Sequence, residues 1–307
     1  MCIRDRQMQK NMKNWRKNAH PMDVLQAFVA ALAGYYDEQG TEKEISQQRA
    51  INLISKVPTI IASWERVRND KEPIQPDPEL SHASNFLYML TGNKPDKEME
   101  RVFDVCLILH ADHTFNASTF AAREVASTRA HMYSAVSAAV GALSGELHGG
   151  ANYEVMKMLL DIKDENNATN WVKSRIEKGD RIMGMGHAVY KTVDPRSMVL
   201  KELSKKLSAK TGLPWYNITK KVEETTSEIM KNRKERDIFP NVDLYSASVY
   251  YMLNIPMDLN TPIFAISRVS GWAAHVIEEK FAEAAPKPML YRPCLLYTSP
   301  SPRDALE

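Results

Sequence analysis

Apolar residues recur along the chain at helical rather than strand spacing. Val24, Leu25, Phe28, Val29 and Leu32 mark one face of a helix from Met22 to Ala33, with Gly34 as its stop. Ile51, Ile54, Val57, Ile61, Trp64 and Val67 continue that period, and Pro58 predicts a kink. A short helical run from Phe86 to Leu90 closes at Gly92. Pro95 and Asp96 open a helix whose inner face reads Met99, Phe103, Cys106, His110 and His113. Asn116 to Ser144 is rich in Ala, Ser and Thr, which predicts a closely packed helix pair, either a core hairpin or a subunit interface. Asn152 reads as the N-cap of a helix bearing Val155, Met156, Leu159 and Leu160.

Further along, Asp194 and Pro195 read as the cap and first residue of a helix. Its stripe is Leu200, Leu203 and Leu207, and Gly212 stops it. Lys220 to Asp237 is charge-rich and predicts a solvated helix. Tyr245 to Leu253 fits strand or helix by composition, and its length and neighbours favour helix. Thr261 and Pro262 open a last helix through Ile263, Ile266, Ala273 and Ile277. There is no run of alternating strands and no internal repeat, so the fold class is all-α.

Composition narrows the class without naming a chemistry. A length of 307 residues allows one large domain or two modest ones. Hydrophobic residues at 44% and charged residues at 25% are ordinary for a soluble globular chain. A net charge of +2 gives no ground for a nucleic-acid partner. No apolar run approaches the roughly 20 residues of a membrane-spanning helix. The cysteine count of 3 makes no disulfide framework and points to a reducing compartment, the cytoplasm. Cys106 reads as an inert core thiol. Residues 1–6 and 294–307 follow no period and read as a non-native leader and tail.

Six short stretches carry candidate chemistry. His110 and His113, spaced to share a helix face, are either hydrogen-bonded core histidines or, with Asp112, metal ligands. His148, in Leu147-His148-Gly149-Gly150-Ala151-Asn152, precedes a helix whose dipole favours a neutral imidazole able to donate to a developing oxyanion. The glycines there either admit a close approach or make only a tight turn. His187 sits in a second loop, Gly184-Met185-Gly186-His187, with no strand ahead of it, so a dinucleotide fold is disfavoured. Arg196, just inside a helix N-terminus, opposes the dipole and calls for either Asp194 or an anionic ligand. Asp243, after Pro240-Asn241-Val242, is either an N-cap or a general base. Arg268 is the one charged residue between Pro262 and Ile277 and must find an internal carboxylate or an anionic ligand.

Taken in order, these stretches resemble citrate synthases of the bacterial and archaeal type. The matching segments are LHADHTFNASTFAAREVAST, GALSGELHGGANYEVMKML, IMGMGHAVYKTVDPR, PNVDLYSASVYYML and TPIFAISRVSGWAAHVIEE, spread over most of residues 20 to 293. The resemblance implies an all-α fold with a large domain, residues 7–153 and 255–293, and a smaller mobile helical domain, residues 154–254. It also implies a chain truncated at both ends relative to the family, with part of the N-terminal large domain missing. The reaction implied is acetyl-CoA plus oxaloacetate plus water giving citrate and CoA, with no metal and no cofactor beyond the substrates. By the same resemblance His148, His187 and Asp243 are catalytic, and His113, Arg196, Arg268 and Arg292 bind oxaloacetate. Arg181, Ile182, Met183, Gly184 and Phe264 match the CoA site. A homodimer is implied, with Arg292 reaching the partner's site. The nearest alternative is 2-methylcitrate synthase, which uses propionyl-CoA. Of other classes, a helical metal-dependent phosphohydrolase would rest on His110 and Asp112, and a non-catalytic helical module is opposed by the isolated loop histidines.

Overall fold

A computed structural model of the chain describes residues 3–36, 38–187, 192–234, 237–282 and 290–291. The helices are α1 (Ile3–Met12), α2 (Pro21–Ala31), α3 (Glu42–Arg68), α4 (His82–Thr91), α5 (Lys97–His110), α6 (Ala117–Ser127) and α7 (Met132–Leu143). They continue with α8 (Ala151–Ile162), α9 (Glu165–Glu177), α10 (Pro195–Thr211), α11 (Trp215–Lys234), α12 (Val242–Met252) and α13 (Asn260–Phe281). Among the described residues the one β contact is a bridge between Met185 and Pro240. The all-α class holds.

Capping side chains and glycines set many of the helix boundaries. Thr41 and Glu44 form a capping box that opens α3, and Asp96 accepts from the backbone N–H groups of Glu98 and Met99 to open α5. Asn116 and Asp194 cap α6 and α10. Gly92 and Gly212 close α4 and α10 in left-handed conformations, with φ of 88° and 69°. Pro58 lies inside α3, which continues past it to Arg68.

Three local expectations are corrected. The helix carrying His110 ends there, so His113 lies in the following loop and the two rings share no helix face. The loop is held by α13: a Cβ on Gly271 would stand 2.4 Å from the Ala111 carbonyl oxygen, so this segment lies flush on the helix. Gly150, not Asn152, is the N-cap residue of α8; Asn152 is buried in its first turn and donates to the Ser246 hydroxyl. Asn241, not Asp243, caps α12, accepting from the Asp243 N–H at 2.9 Å.

The helices pack in two groups. In one, α13 lies against α3, α5, α6 and α7, burying Ile263, Ile266, Val269, Trp272 and Val276. Each such side chain contributes about 1.5–3 kcal/mol by leaving water. The Ala-rich pair α6 and α7 forms a close hairpin, with Ala122, Ala126, Ala135 and Ala139 fully inside. In the other group α8, α9, α10, α11 and α12 pack on one another. There α11 is less solvated than its charge predicts, because Ile218, Val222 and Thr226 are buried. Among the described residues no helix is long and apolar enough to cross a membrane.

Candidate active site

His148 lies in the turn between α7 and α8. That turn is tight: a Cβ on Gly149 would come within 2.0 Å of the Leu143 carbonyl oxygen, so only glycine fits. The Ser118 N–H donates to His148 Nε2 at 3.2 Å, and the Ser118 hydroxyl stands 2.9 Å from the same nitrogen. A backbone donor on Nε2 requires a lone pair there, which assigns the ring proton to Nδ1. Burial, aided by the charge of Arg268, holds the imidazole below its ordinary pKa, so it is neutral.

The His187 loop and Asp243 are stitched together by backbone. The Gly186 N–H donates to Phe239 O at 2.7 Å, and the Asn241 N–H donates to Gly184 O at 2.9 Å. Asn241 Nδ2 then donates to Gly186 O at 2.9 Å. Gly184 has φ +79°, and a Cβ there would stand 2.9 Å from Leu244 Cα, so the loop lies directly on α12 beside Asp243. Asp243 is partly buried, and burial pushes its carboxyl pKa up to about 6. The His187 imidazole is held low by burial, against the nearby charge of Asp194.

Two guanidinium groups face this region. Arg196 makes a two-point pair with the buried Asp194, Nη2 to Oδ2 at 2.8 Å and Nε to Oδ1 at 3.0 Å. Burial works against the Asp194 charge, but the hydrogen bonds and charge of Arg196 hold its carboxyl below the usual range. The expectation of a partner for Arg196 is met by Asp194. Arg268, 1% exposed, donates from Nε to His110 O at 2.8 Å, and its guanidinium lies 4.6 Å from the Phe264 ring centroid. Its Nη2 is buried without a hydrogen-bond partner. Burial lowers its pKa to about 10, so it remains charged at neutral pH.

His110 is fully buried and donates from Nδ1 to Cys106 O at 2.7 Å, and burial takes its pKa down to about 3. It is a core histidine with its ring edge-on to Phe264. His113 instead stands against His187, their ring centroids 5.6 Å apart, and burial followed by the charges of Arg196 and Arg268 keeps it neutral. Among the described residues no group of three or more His, Cys, Asp or Glu could hold a metal ion.

A cleft of about 770 Å³ opens beside the His148 turn, lined by Leu147, Gly150, Arg181, Met183, Met257 and Thr261 among others. A second cavity of about 420 Å³ lies behind the 181–184 segment, reaching Met230 and Arg233 of α11. Arg181 and Met183 border both, and Ile182 is buried. Of the candidate site residues Arg292 lies outside the described residues, as do residues 188–191 of the His187 segment and the tail at 294–307. Sequence reasoning missed Ser118, Asn116 and Asn241, which act through backbone and loop hydrogen bonds that their residue types do not announce.

Comparison with known proteins supplies the relationship. The family profile "Citrate synthase, C-terminal domain" matches residues 3–294. A citrate synthase of Haloferax volcanii is 44% identical over 84% of this chain and 68% of its own length. A citrate/2-methylcitrate synthase of Bacillus subtilis is 41% identical over 92% of this chain and 74% of its own. The solved ternary complex of carboxymethyl coenzyme A and oxaloacetate with citrate synthase from Thermoplasma acidophilum superposes with a TM-score of 0.86. It is 32% identical and covers 96% of this chain and 77% of that one. A metal-dependent phosphohydrolase is thereby set aside, and the chain belongs to the citrate synthase family.

Proposed function

We propose that the chain condenses acetyl-CoA with oxaloacetate and hydrolyses the resulting citryl-CoA to citrate and CoA. The observation that carries this reading is electrostatic: burial raises the Asp243 carboxyl to about 6 against the charge of Arg196, and burial with the charge of Arg268 keeps His148 neutral. Deprotonating the methyl of a thioester needs a base of that kind and a neutral donor for the developing enol oxygen. Asp243 takes the methyl proton, and the Nδ1–H of His148 donates to the thioester oxygen. The enol carbon attacks the oxaloacetate carbonyl, which His187 polarises and protonates. Water then cleaves the citryl thioester.

A dicarboxylate calls for guanidinium forks. Arg268 has a buried donor without a partner to offer, and Arg196 is held in place by Asp194. His113, against His187, completes this side, and the family pattern adds Arg292 from a partner subunit of a homodimer. The cleft bordered by Arg181 and Met183 fits the acyl-CoA arm, with Phe264 beside the acetyl group. Closing the small domain of residues 154–254, which holds most of the α8–α12 group, over the rest would exclude water until condensation is complete. No metal or redox chemistry enters any of these steps.

A second reading is favoured by the 41% identity to the citrate/2-methylcitrate synthase: propionyl-CoA as the acyl donor. One extra methylene is discriminated by only about 1–3 kcal/mol. Thiol release measured with oxaloacetate and either acetyl-CoA or propionyl-CoA separates the two, and acetyl-CoA is expected to give the higher kcat/KM. Release with neither would sink the synthase reading.

A further inference from the structure

One face of α13 supports several parts of the site. Thr261, Phe264, Arg268 and Trp272 recur at helical spacing; Thr261 meets the Gly149 peptide, Phe264 and Arg268 meet His110, and Trp272 meets Ser118. We propose that Thr261 and Trp272 are positioning residues for His148, bracing its imidazole from two sides. The inference rests on His148 being the donor to the enol oxygen.

Thr261 acts on the peptide that follows His148. Its hydroxyl donates to the Gly149 carbonyl at 2.8 Å. A Cβ on Gly149 would stand 2.0 Å from Leu143 O and 2.8 Å from Thr261 Cγ2, so the turn is gripped between these two groups. Trp272 acts on the ring itself, through Ser118. Its buried Nε1–H donates to Ser118 Oγ at 3.2 Å. An indole N–H is a donor only, so it takes a lone pair of the hydroxyl. The hydroxyl proton is left two acceptors, Asn116 Oδ1 at 2.8 Å and His148 Nε2 at 2.9 Å. A donor into the hydroxyl oxygen also strengthens the O–H that leaves it. The Ser118 N–H keeps Nε2 an acceptor and leaves the ring proton on Nδ1, and the hydroxyl adds a second donor there when its one proton turns from Asn116 to Nε2.

The test uses the full chain with both substrates. Thr261→Val, which keeps the shape and loses the donor, lowers kcat about tenfold, the scale of one lost hydrogen bond at a reacting group, with the KM for oxaloacetate unchanged. Thr261→Ser restores it. Trp272→Phe lowers kcat by a similar factor but adds little in a Ser118→Ala background, because the indole works through that hydroxyl. In 15N-histidine-labelled protein, His148 Nε2 reports an unprotonated ring nitrogen, and Trp272→Phe shifts it toward mixed tautomers. Wild-type kcat in Thr261→Val, the same factor for Trp272→Phe in both backgrounds, or an unchanged ring signal would overturn the proposal. Full turnover by His148→Ala would instead overturn the reading on which it rests.

Discussion

Burial raises the Asp243 carboxyl to about 6, so a base at that position is free of its proton only above that pH. His148 and His187 are lowered and stay neutral through the same range. The kcat/KM profile is therefore expected to fall with unit slope below about pH 6 and to be flat above it; a flat profile down to pH 5 would count against Asp243 as the base. Stability runs the other way. The unfolded carboxyl loses its proton near 3.8 and the folded one near 6, so stability falls as pH rises between these values and is level beyond them. Asp243→Asn removes that penalty, and its melting temperature relative to wild type is expected to rise from pH 4 to pH 7, by up to about 3 kcal/mol of stability. Arg268→Ala should weaken oxaloacetate binding about 10- to 100-fold by calorimetry, and Lys should not restore it, since an ammonium cannot reproduce the fork. The need of Arg268 for an anion was legible in its apolar helix, because an isolated charge there has few solutions. The tie from Thr261 to Gly149 was not legible, because a threonine near a helix start looks the same whether or not its hydroxyl meets a loop.

Among elements, the Gly184–His187 segment is the one whose backbone decides the site. Gly184→Ala places a side chain at φ +79° and 2.9 Å from Leu244 Cα, and should cost at least about 2 kcal/mol with a lower melting temperature. Activity should fall as well, because the same turn holds His187 beside Asn241 and Asp243. A variant with wild-type melting and turnover would show that the contact with α12 is dispensable. Helices with strong stripes and caps, such as those after Asp96 and Asp194, were readable in the sequence. α9 was not, because its fully buried positions are only Ala168 and Val172 and its polar face dominates the pattern. The cap of α8 was misread because Asn152 is itself a good cap residue, and of the two readings open for Asp243 the cap fails because Asn241 takes that place. The chain begins those helices after Gly150 and Asn241, which places Asn152 against Ser246 and Asp243 in the first turn of α12.

For the whole molecule, the unpartnered buried donor of Arg268 and the ion pair of Arg196 with Asp194 predict that oxaloacetate binds the folded chain without acyl-CoA. Ligand at about 100 times its Kd adds roughly 2.7 kcal/mol to stability, seen as a raised melting temperature. Two helix groups meeting at the cleft predict a further compaction in X-ray scattering when a CoA thioether analogue joins oxaloacetate. The all-α class and the order of the loops were legible in the sequence because periodicity and glycine positions survive in any arrangement. Which helices face one another across the cleft was not, since that depends on contacts between distant stretches of chain. The proposed role of Asp243 as the base that starts the condensation is read by measuring CoA release and the oxaloacetate-induced melting shift on wild type and Asp243→Asn in parallel. Release is expected from wild type only when acetyl-CoA and oxaloacetate are both present, and none from Asp243→Asn, with the oxaloacetate shift retained. Turnover by Asp243→Asn near the wild-type rate would contradict that role.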